Sequence, residues 1–219
     1  MINIKKLYDT RFTTLERVRK NKLWQILCQV FLQQFVNKND LVVDIGAGQC
    51  EFINNILCNQ KIAIDVNSDV KKFAANDVKV VISSVKRLTN ILKSNSVDVI
   101  FMSNLLEHLD TKEDVFRLLN EANQVLRSGG RLLIMQPDIG LVGHAYWDFF
   151  DHKVPITCAS LLEVLVADGF KISYLRYPFM PYSTKVRFLP LWPPLLKIYL
   201  RLRILQRIFG KQFFVCAQK

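Results

Sequence analysis

The stretch Val42-Val43-Asp44-Ile45-Gly46-Ala47-Gly48-Gln49-Cys50-Glu51-Phe52 decides the reading of this 219-residue chain. Leu41–Ile45 is a short apolar strand, and Gly46 and Gly48 form a turn that lets backbone pass close to a ligand. Glu51–Leu57 reads as the start of a helix. A strand feeding a glycine turn and then a helix N-terminus holds adenosine-bearing cofactors in doubly wound α/β domains. Glycine suits the turn because a Cβ would hold the backbone away and because positive φ is accessible. Cys50 stands where a dinucleotide pattern has its third glycine. Lys61-Ile62-Ala63-Ile64-Asp65 follows as a second strand ending in a carboxylate, about twenty residues beyond the loop, where both ribose hydroxyls can donate to it.

Length and composition set the bounds. The chain suffices for one well-buried α/β domain, and with 50% hydrophobic residues disorder is not the default. Five scattered cysteines, Cys28, Cys50, Cys58, Cys158 and Cys216, show neither a disulfide framework nor the ligand spacing of a zinc site. The expectation is therefore no metal and a reducing, cytoplasmic setting. No apolar signal-peptide core opens the chain, and no charge-free stretch reaches the roughly eighteen residues of a spanning helix. The net charge of +11 is uneven: residues 171–219 hold ten of the 30 basic residues and none of the 19 acidic ones. Such asymmetry points to an anionic partner, a membrane surface or a nucleic acid.

Along the chain, residues 3–37 read as helical, with Leu23, Ile26, Leu27, Val30 and Phe31 on one face and a polar, basic first half that would form a lid or peripheral helix. Strands and helices then alternate: Leu41–Ile45, a helix over 51–58, Lys61–Asp65, a helix over 69–75, Val78–Ile82, and a short helix over 86–93. Val97–Met102 is a strand buried on both faces. Asp110–Glu113 resembles a capping box opening a helix with Val115, Leu118, Leu119, Ala122, Val125 and Leu126 on one face. Gly129-Gly130 stops that helix before strand five, Arg131–Gln136. A helix over Ser160–Asp168, closed by Gly169, precedes Lys171–Tyr177, and Gln212–Cys216 is strand seven. The pattern predicts an α/β, doubly wound, seven-stranded, mostly parallel sheet with an antiparallel last strand. Residues 1–38 form an N-terminal helical cap, residues 39–177 plus 212–219 the binding domain, and 178–211 a basic amphipathic insertion.

Over residues 40–177 and 212–217 the chain resembles the class I S-adenosylmethionine-dependent methyltransferases. The resemblance rests on Asp44-Ile-Gly46-Ala-Gly48, on Asp65, and on Val97-Asp-Val-Ile-Phe-Met-Ser-Asn-Leu-Leu-Glu107-His108-Leu109. Leu126-Arg-Ser-Gly-Gly-Arg-Leu-Leu-Ile adds the fourth element in the same order. Gly-Gln-Cys-Glu-Phe-Ile-Asn, Trp-Asp-Phe-Phe-Asp-His and Phe-Gly-Lys-Gln-Phe-Phe-Val look like the small-molecule and lipid-linked group found with surface-polysaccharide pathways. The resemblance implies S-adenosylmethionine as cofactor. Gly46, Ala47 and Gly48 would pass its methionine and ribose portion, with Asp44 fixing the loop. Asp65 would hold the ribose hydroxyls and Val66 would pack on adenine. Ser103 and Asn104 would line the reaction cavity. Ser84 stands where many relatives place an adenine-binding Asp, so a weaker hydrogen bond or a water is expected there.

A hydroxyl acceptor needs a general base within hydrogen-bond reach. His144 and His152 flank Tyr146-Trp147-Asp148-Phe149-Phe150-Asp151 after strand five, at the carboxyl edge. His152 is the expected base, partnered by Asp148 or Asp151, with His144 second; His108 reads as structural or cavity-lining. In residues 188–209 a stripe of Leu195, Ile198, Tyr199, Leu202, Leu205 and Phe209 is expected to dock on the domain. Leu200, Ile204 and Ile208 with Lys197, Arg201, Arg203 and Arg207 would meet an anionic lipid surface. A core helix, a dimer interface and an RNA-facing patch are the other readings, although no nucleic-acid module is recognisable. The expected activity is O-methylation of a saccharide or lipid-linked acceptor at the membrane surface. The alternatives are a quinone-type or other small aromatic acceptor, and a cofactor-binding protein without turnover.

Overall fold

The structure is a computed structural model and describes residues 14–182 and 193–219. Its first helix, α1 (Thr14–Val30), turns its apolar side inward: Leu23, Ile26, Leu27 and Cys28 are buried, and Phe31 just beyond it joins them. The expected lid lies mainly in residues outside those described. Seven strands then build one sheet: β1 (Leu41–Ile45), β2 (Gln60–Asp65), β3 (Val78–Ile82), β4 (Val97–Ser103), β5 (Leu126–Pro137), β6 (Lys171–Arg176) and β7 (Gln212–Gln218).

The strand order is β3-β2-β1-β4-β5-β7-β6. The pairs among β1 to β5 are parallel, and β7 runs antiparallel between β5 and β6. The expected doubly wound sheet is thus the observed one. Chain order reverses between β1 and β4, so a crevice opens there at the carboxyl edge, the place where open α/β sheets bind ligands.

The period of two along each strand splits the core into two layers. Val42, Val99 and Phe101 face one layer with α1, where Phe52 stacks on Phe101 at 3.9 Å between ring centroids. Val43, Ile45, Val97, Ile100 and Met102 face the other, packed by α2 (Lys112–Val125) and α4 (Cys158–Ala167). The buried positions of α2 are Val115, Leu118, Leu119, Ala122 and Val125, as its periodicity predicts, but Leu126, expected on the same face, begins β5, so the helix ends before Gly129-Gly130. Its cap is one residue later than expected: the Thr111 hydroxyl accepts from the Asp114 N–H at 3.1 Å.

Three expected helices are shorter or irregular. Residues 50–56 wind through mixed i+3 and i+4 hydrogen bonds without a regular helix, because Cys50 is left-handed at φ +59° and Asn54 spends its amide on Phe73 and Ala75. Ser68–Lys72 is a 3-10 turn capped by Asn67. Val85–Asn90 is a 3-10 segment broken at Arg87. Asn, Asp and Ser side chains compete for backbone groups in these stretches and favour turns over helix.

The C-terminal insertion departs most from its wheel. A continuous stripe over 188–209 is overturned by a break at Leu202, which separates α5 (Pro193–Arg201) from α6 (Arg203–Phe209); residues 188–192 lie outside the described ones. A short helix α3 (Ile139–Val142) precedes the loop after β5. Leu196, Tyr199 and Leu200 are the buried residues of α5, whereas Ile198, Leu202, Ile204, Ile208 and Phe209 are exposed. Gln206 explains the break: its Nε2 donates to the carbonyls of Tyr199 and Leu200, and its Oε1 accepts from Arg176. A buried amide thus caps the orphan carbonyls at the end of α5.

Candidate functional site

β1 delivers the glycine turn to the crevice. Gly46 has φ +72°, and a Cβ there would meet Leu105 Cδ1 at 2.8 Å. The turn after β1 therefore lies directly against the turn after β4. Gly48 has φ +54°, but only the Gly46 carbonyl, at 3.9 Å, approaches its missing side chain. Its face is open, as a cofactor's close approach requires. Cys50 is buried with its Sγ toward the Val70 carbonyl, and burial, then the charge of Asp44, pushes its thiol up to about 12. It packs; it is no nucleophile.

Carboxylates surround this turn. Asp65 Oδ2 accepts from Gly48 N–H at 2.8 Å and Oδ1 from Asn67 N–H at 2.7 Å, so Asp65 ties the β1 turn to the β2 exit. Asp44 is buried beneath the turn and accepts from Ile53 N–H. Burial first, then the charges of Glu51 and Asp65, hold its carboxyl well above the usual range. Glu51 pairs with Lys20 at 2.8 Å. Such a site repels a pyrophosphate and suits a cation.

The other expected cofactor residues line the same edge. Val66, 56% exposed, follows Asp65, and Ser84 is exposed after β3. Asn104 is left-handed at φ +48°, exposed, and tied by its N–H to the Met135 carbonyl at 3.0 Å. Buried Ser103 Oγ and Gln136 Oε1 have no hydrogen-bond partner among the described residues.

A second group gathers at the exits of β4 and β5. Glu107 is buried, and its backbone carbonyl accepts from the N–H groups of Lys153 and Val154 at 2.7 and 3.1 Å. This pins residues 152–154 beneath the turn after β4. Its Oε2 accepts from Gln136 Nε2 at 2.6 Å, and its Oε1 lies 4.0 Å from His152 Nε2. Burial raises the Glu107 carboxyl above its ordinary value despite His108 and the Gln136 hydrogen bond. His152 sits edge-on to Tyr146 and His108 and stacks on Phe149.

The structure redistributes the carboxylates expected beside His152. Asp151 Oδ2 lies 3.2 Å from His108 Nδ1, with the Asp151 carbonyl 3.1 Å from the same nitrogen, and Asp148 is exposed, as is His144. Glu107 takes the place by His152. Sequence reasoning quoted Glu107 and His108 in the strand-four motif yet gave Glu107 no role; an acid–imidazole pair at a strand exit, with a later histidine on the neighbouring exit, was the available signal.

Residues 43–134 match the family model described as a methyltransferase domain. That span runs from β1 nearly to the end of β5 and stops before His152 and the insertion. An uncharacterized protein of Methanocaldococcus jannaschii is 29% identical over 132 residues, covering 59% of this chain and 49% of that protein. The chain thus spans about half the length of this curated relative. A SAM-dependent methyltransferase structure from Archaeoglobus fulgidus aligns over 91% of this chain and 94% of its own, with TM-score 0.67 and 22% identity. A Thermotoga maritima structure, described as a SAM-dependent methyltransferase and possible histamine N-methyltransferase, covers 98% of both chains at TM-score 0.65 and 16% identity. An Aquifex aeolicus SAM-dependent methyltransferase covers 100% and 99% at TM-score 0.61 and 17% identity. The chain shares the Rossmann-like fold of these methyltransferase structures, and its residues 43–134 are similar to a methyltransferase domain.

Proposed function

We propose that this chain is an S-adenosylmethionine-dependent methyltransferase acting on a hydroxyl of a saccharide or lipid-linked acceptor at a membrane surface. The observation that carries the cofactor is the open glycine turn ringed by Asp44, Glu51 and Asp65. When bound there, the cofactor supplies a methyl group on a cationic sulfonium, whose loss of charge on transfer is favoured in a dry pocket. Asp65 would accept from the ribose hydroxyls, Val66 would cover adenine and Ser84 would reach its amino group. Asp44 beneath Gly46, Ala47 and Gly48 would hold the turn and offset positive charge. Ser103 and Asn104 would line the space toward the acceptor.

The acceptor's proton must leave as the new O–C bond forms. Glu107, His108 and His152 stand at the β4 and β5 exits with that capacity. Exposed Trp147 and Phe150 supply aromatic faces for a sugar ring, with His144, Asp148 and Asp151 on the same segment. The membrane part is supported by α5 and α6, where Ile198, Leu202, Ile204, Ile208 and Phe209 are exposed among Lys197, Arg201, Arg203 and Arg207. Apolar tips beside arginines suit an anionic lipid interface, each cation contributing about 1 kcal/mol. Among the described residues no helix is long and apolar enough to cross a membrane, so the contact proposed is peripheral.

Isothermal titration with S-adenosylmethionine and its demethylated product tests the cofactor; absence of binding below millimolar for both overturns the reading. Sedimentation with phosphatidylglycerol vesicles tests the membrane part. An Arg201→Glu/Arg203→Glu/Arg207→Glu variant should stay in the supernatant, and equal sedimentation with the parent would reject it.

A further inference from the structure

The chemistry at the β4 and β5 exits is richer than a single base requires. We propose that Glu107, His108 and His152 together form a binding site for one divalent first-row transition-metal ion. One donor atom from each of the three residues falls within 4.8 Å of the others. Ligand bonds of about 2.0–2.2 Å to imidazole nitrogen and carboxylate oxygen would close that group by roughly an ångström, a matter of side-chain rotation.

The surroundings are those of metal ligands rather than of a lone base. A ligating histidine usually gives its second ring nitrogen to a carboxylate or backbone carbonyl, which fixes the ring. His108 Nδ1 has both, the Asp151 carboxylate at 3.2 Å and the Asp151 carbonyl at 3.1 Å. A ligating carboxylate is itself hydrogen-bonded, and Gln136 Nε2 holds Glu107 Oε2 at 2.6 Å. That leaves Oε1, the oxygen toward His152. A buried carboxylate beside two imidazoles is costly without a cation to share it. Three protein ligands leave coordination positions for a substrate oxygen. Two imidazoles and one carboxylate favour zinc, iron(II), cobalt or manganese over magnesium or calcium. Trp147 and Phe150 are exposed on the segment that carries His152, and the His108 side chain is 19% exposed.

The inference deepens the proposed function. A hydroxyl held by such an ion would lose its proton to water near neutral pH; its oxygen would then bond the methyl carbon as the C–S bond of the sulfonium breaks and the neutral thioether leaves. His152 would then be a ligand, and the expected general base would be replaced by a metal-bound oxygen donor on the acceptor itself.

Cobalt(II) is the probe, because its visible absorption reports coordination without any turnover. The full-length chain, stripped with chelator, should take up one equivalent of cobalt(II) in titration, displaced by zinc(II). His108→Ala and His152→Ala should weaken it at least tenfold, and Asp151→Asn, which touches the ring and not the ion, tenfold to a hundredfold. Far-ultraviolet circular dichroism and cofactor affinity serve as fold controls; His108→Ala decides the matter should the His152 variant fail to fold. Lack of saturable cobalt binding by the parent, or unchanged binding in His108→Ala, overturns the site. S-adenosylmethionine binding with no metal uptake rejects this inference alone, and metal uptake without cofactor binding rejects the preceding proposal alone.

Discussion

The β1–β2 edge and the β4–β5 edge face each other across the same crevice and are built by opposite means. The first draws its glycine turn and carboxylates from residues 44–67, close in sequence, and fastens them through backbone N–H groups: Gly48 and Asn67 N–H to Asp65, Ile53 N–H to Asp44. The second brings together Glu107 after β4, Gln136 at the end of β5 and His152 on the segment after it, through side chains and through the Lys153 and Val154 N–H groups on the Glu107 carbonyl. On the proposed function, cofactor capture would ride on local chain geometry and acceptor chemistry on tertiary assembly. Perturbing one edge should therefore leave the other's function in place.

The largest test of that separation is His152→Ala. Turnover should fall by about 10²–10⁴-fold, the span of a lost proton-handling group, while S-adenosylmethionine affinity by titration calorimetry stays within twofold, an estimate made on the independence of distant sites. A parallel loss of affinity would mean that the two edges are one cooperative unit.

Asp65→Ala strikes the opposite edge. It removes the acceptor for two backbone N–H groups and for the expected ribose hydroxyls, hydrogen bonds to a charged group worth roughly 1.5–3 kcal/mol. Cofactor affinity should drop about tenfold to a hundredfold, and the acceptor KM at saturating cofactor should not move. Equal affinity in the variant would remove Asp65 from the cofactor site.

The same contrast governs how much could be read from the sequence. The glycine turn, Asp65 and the strand alternation were legible because each is a short-range signal: a period of two, a turn residue, a carboxylate at a strand end. The antiparallel β7 followed from the lack of a long crossover-helix pattern between strands six and seven. The helix over 51–58 was misjudged because propensity says little about a left-handed Cys50, and the stripe over 188–209 because a wheel assumes an unbroken helix. Nothing near Leu202 announces a break; the agent is Gln206, whose buried amide bonds the Tyr199 and Leu200 carbonyls. The partner of His152 was misplaced for a related reason. Neighbours in sequence, Asp148 and Asp151, looked nearer than Glu107, which the parallel sheet carries to the adjacent exit.

Gln206→Ala extends the comparison to the insertion. Removal leaves the Tyr199 and Leu200 carbonyls and the Arg176 guanidinium short of a partner in a buried position. Unfolding in urea should show a loss of about 1–3 kcal/mol, with cofactor affinity unchanged. A fall below a few tenths would show that water satisfies the end of α5 and that the break at Leu202 has another cause.

The smallest expected effect is the subtlest reading of the β1–β2 edge. Asp44 has its carboxyl raised in the folded chain by burial and by Glu51 and Asp65. A group raised on folding supports the fold below its unfolded value, about 4 for an aspartate, and that support is lost as pH rises through the folded value. Asp44→Asn, which can still accept from Ile53, should therefore raise the melting temperature at pH 7–8 by roughly 2–4 °C, the equivalent of about 1 kcal/mol in a chain of this size. The gain should vanish below about pH 4, where the parent carboxyl is protonated folded or unfolded. Cofactor binding carries the opposite sign. A sulfonium favours the ionised carboxylate, so the parent's affinity should climb as pH rises above the unperturbed aspartate value of about 4, and the variant's should stay flatter. Parallel pH curves for parent and variant would show that Asp44 does not sense the cofactor's charge. The acidic ring around the glycine turn would then be a device of folding alone.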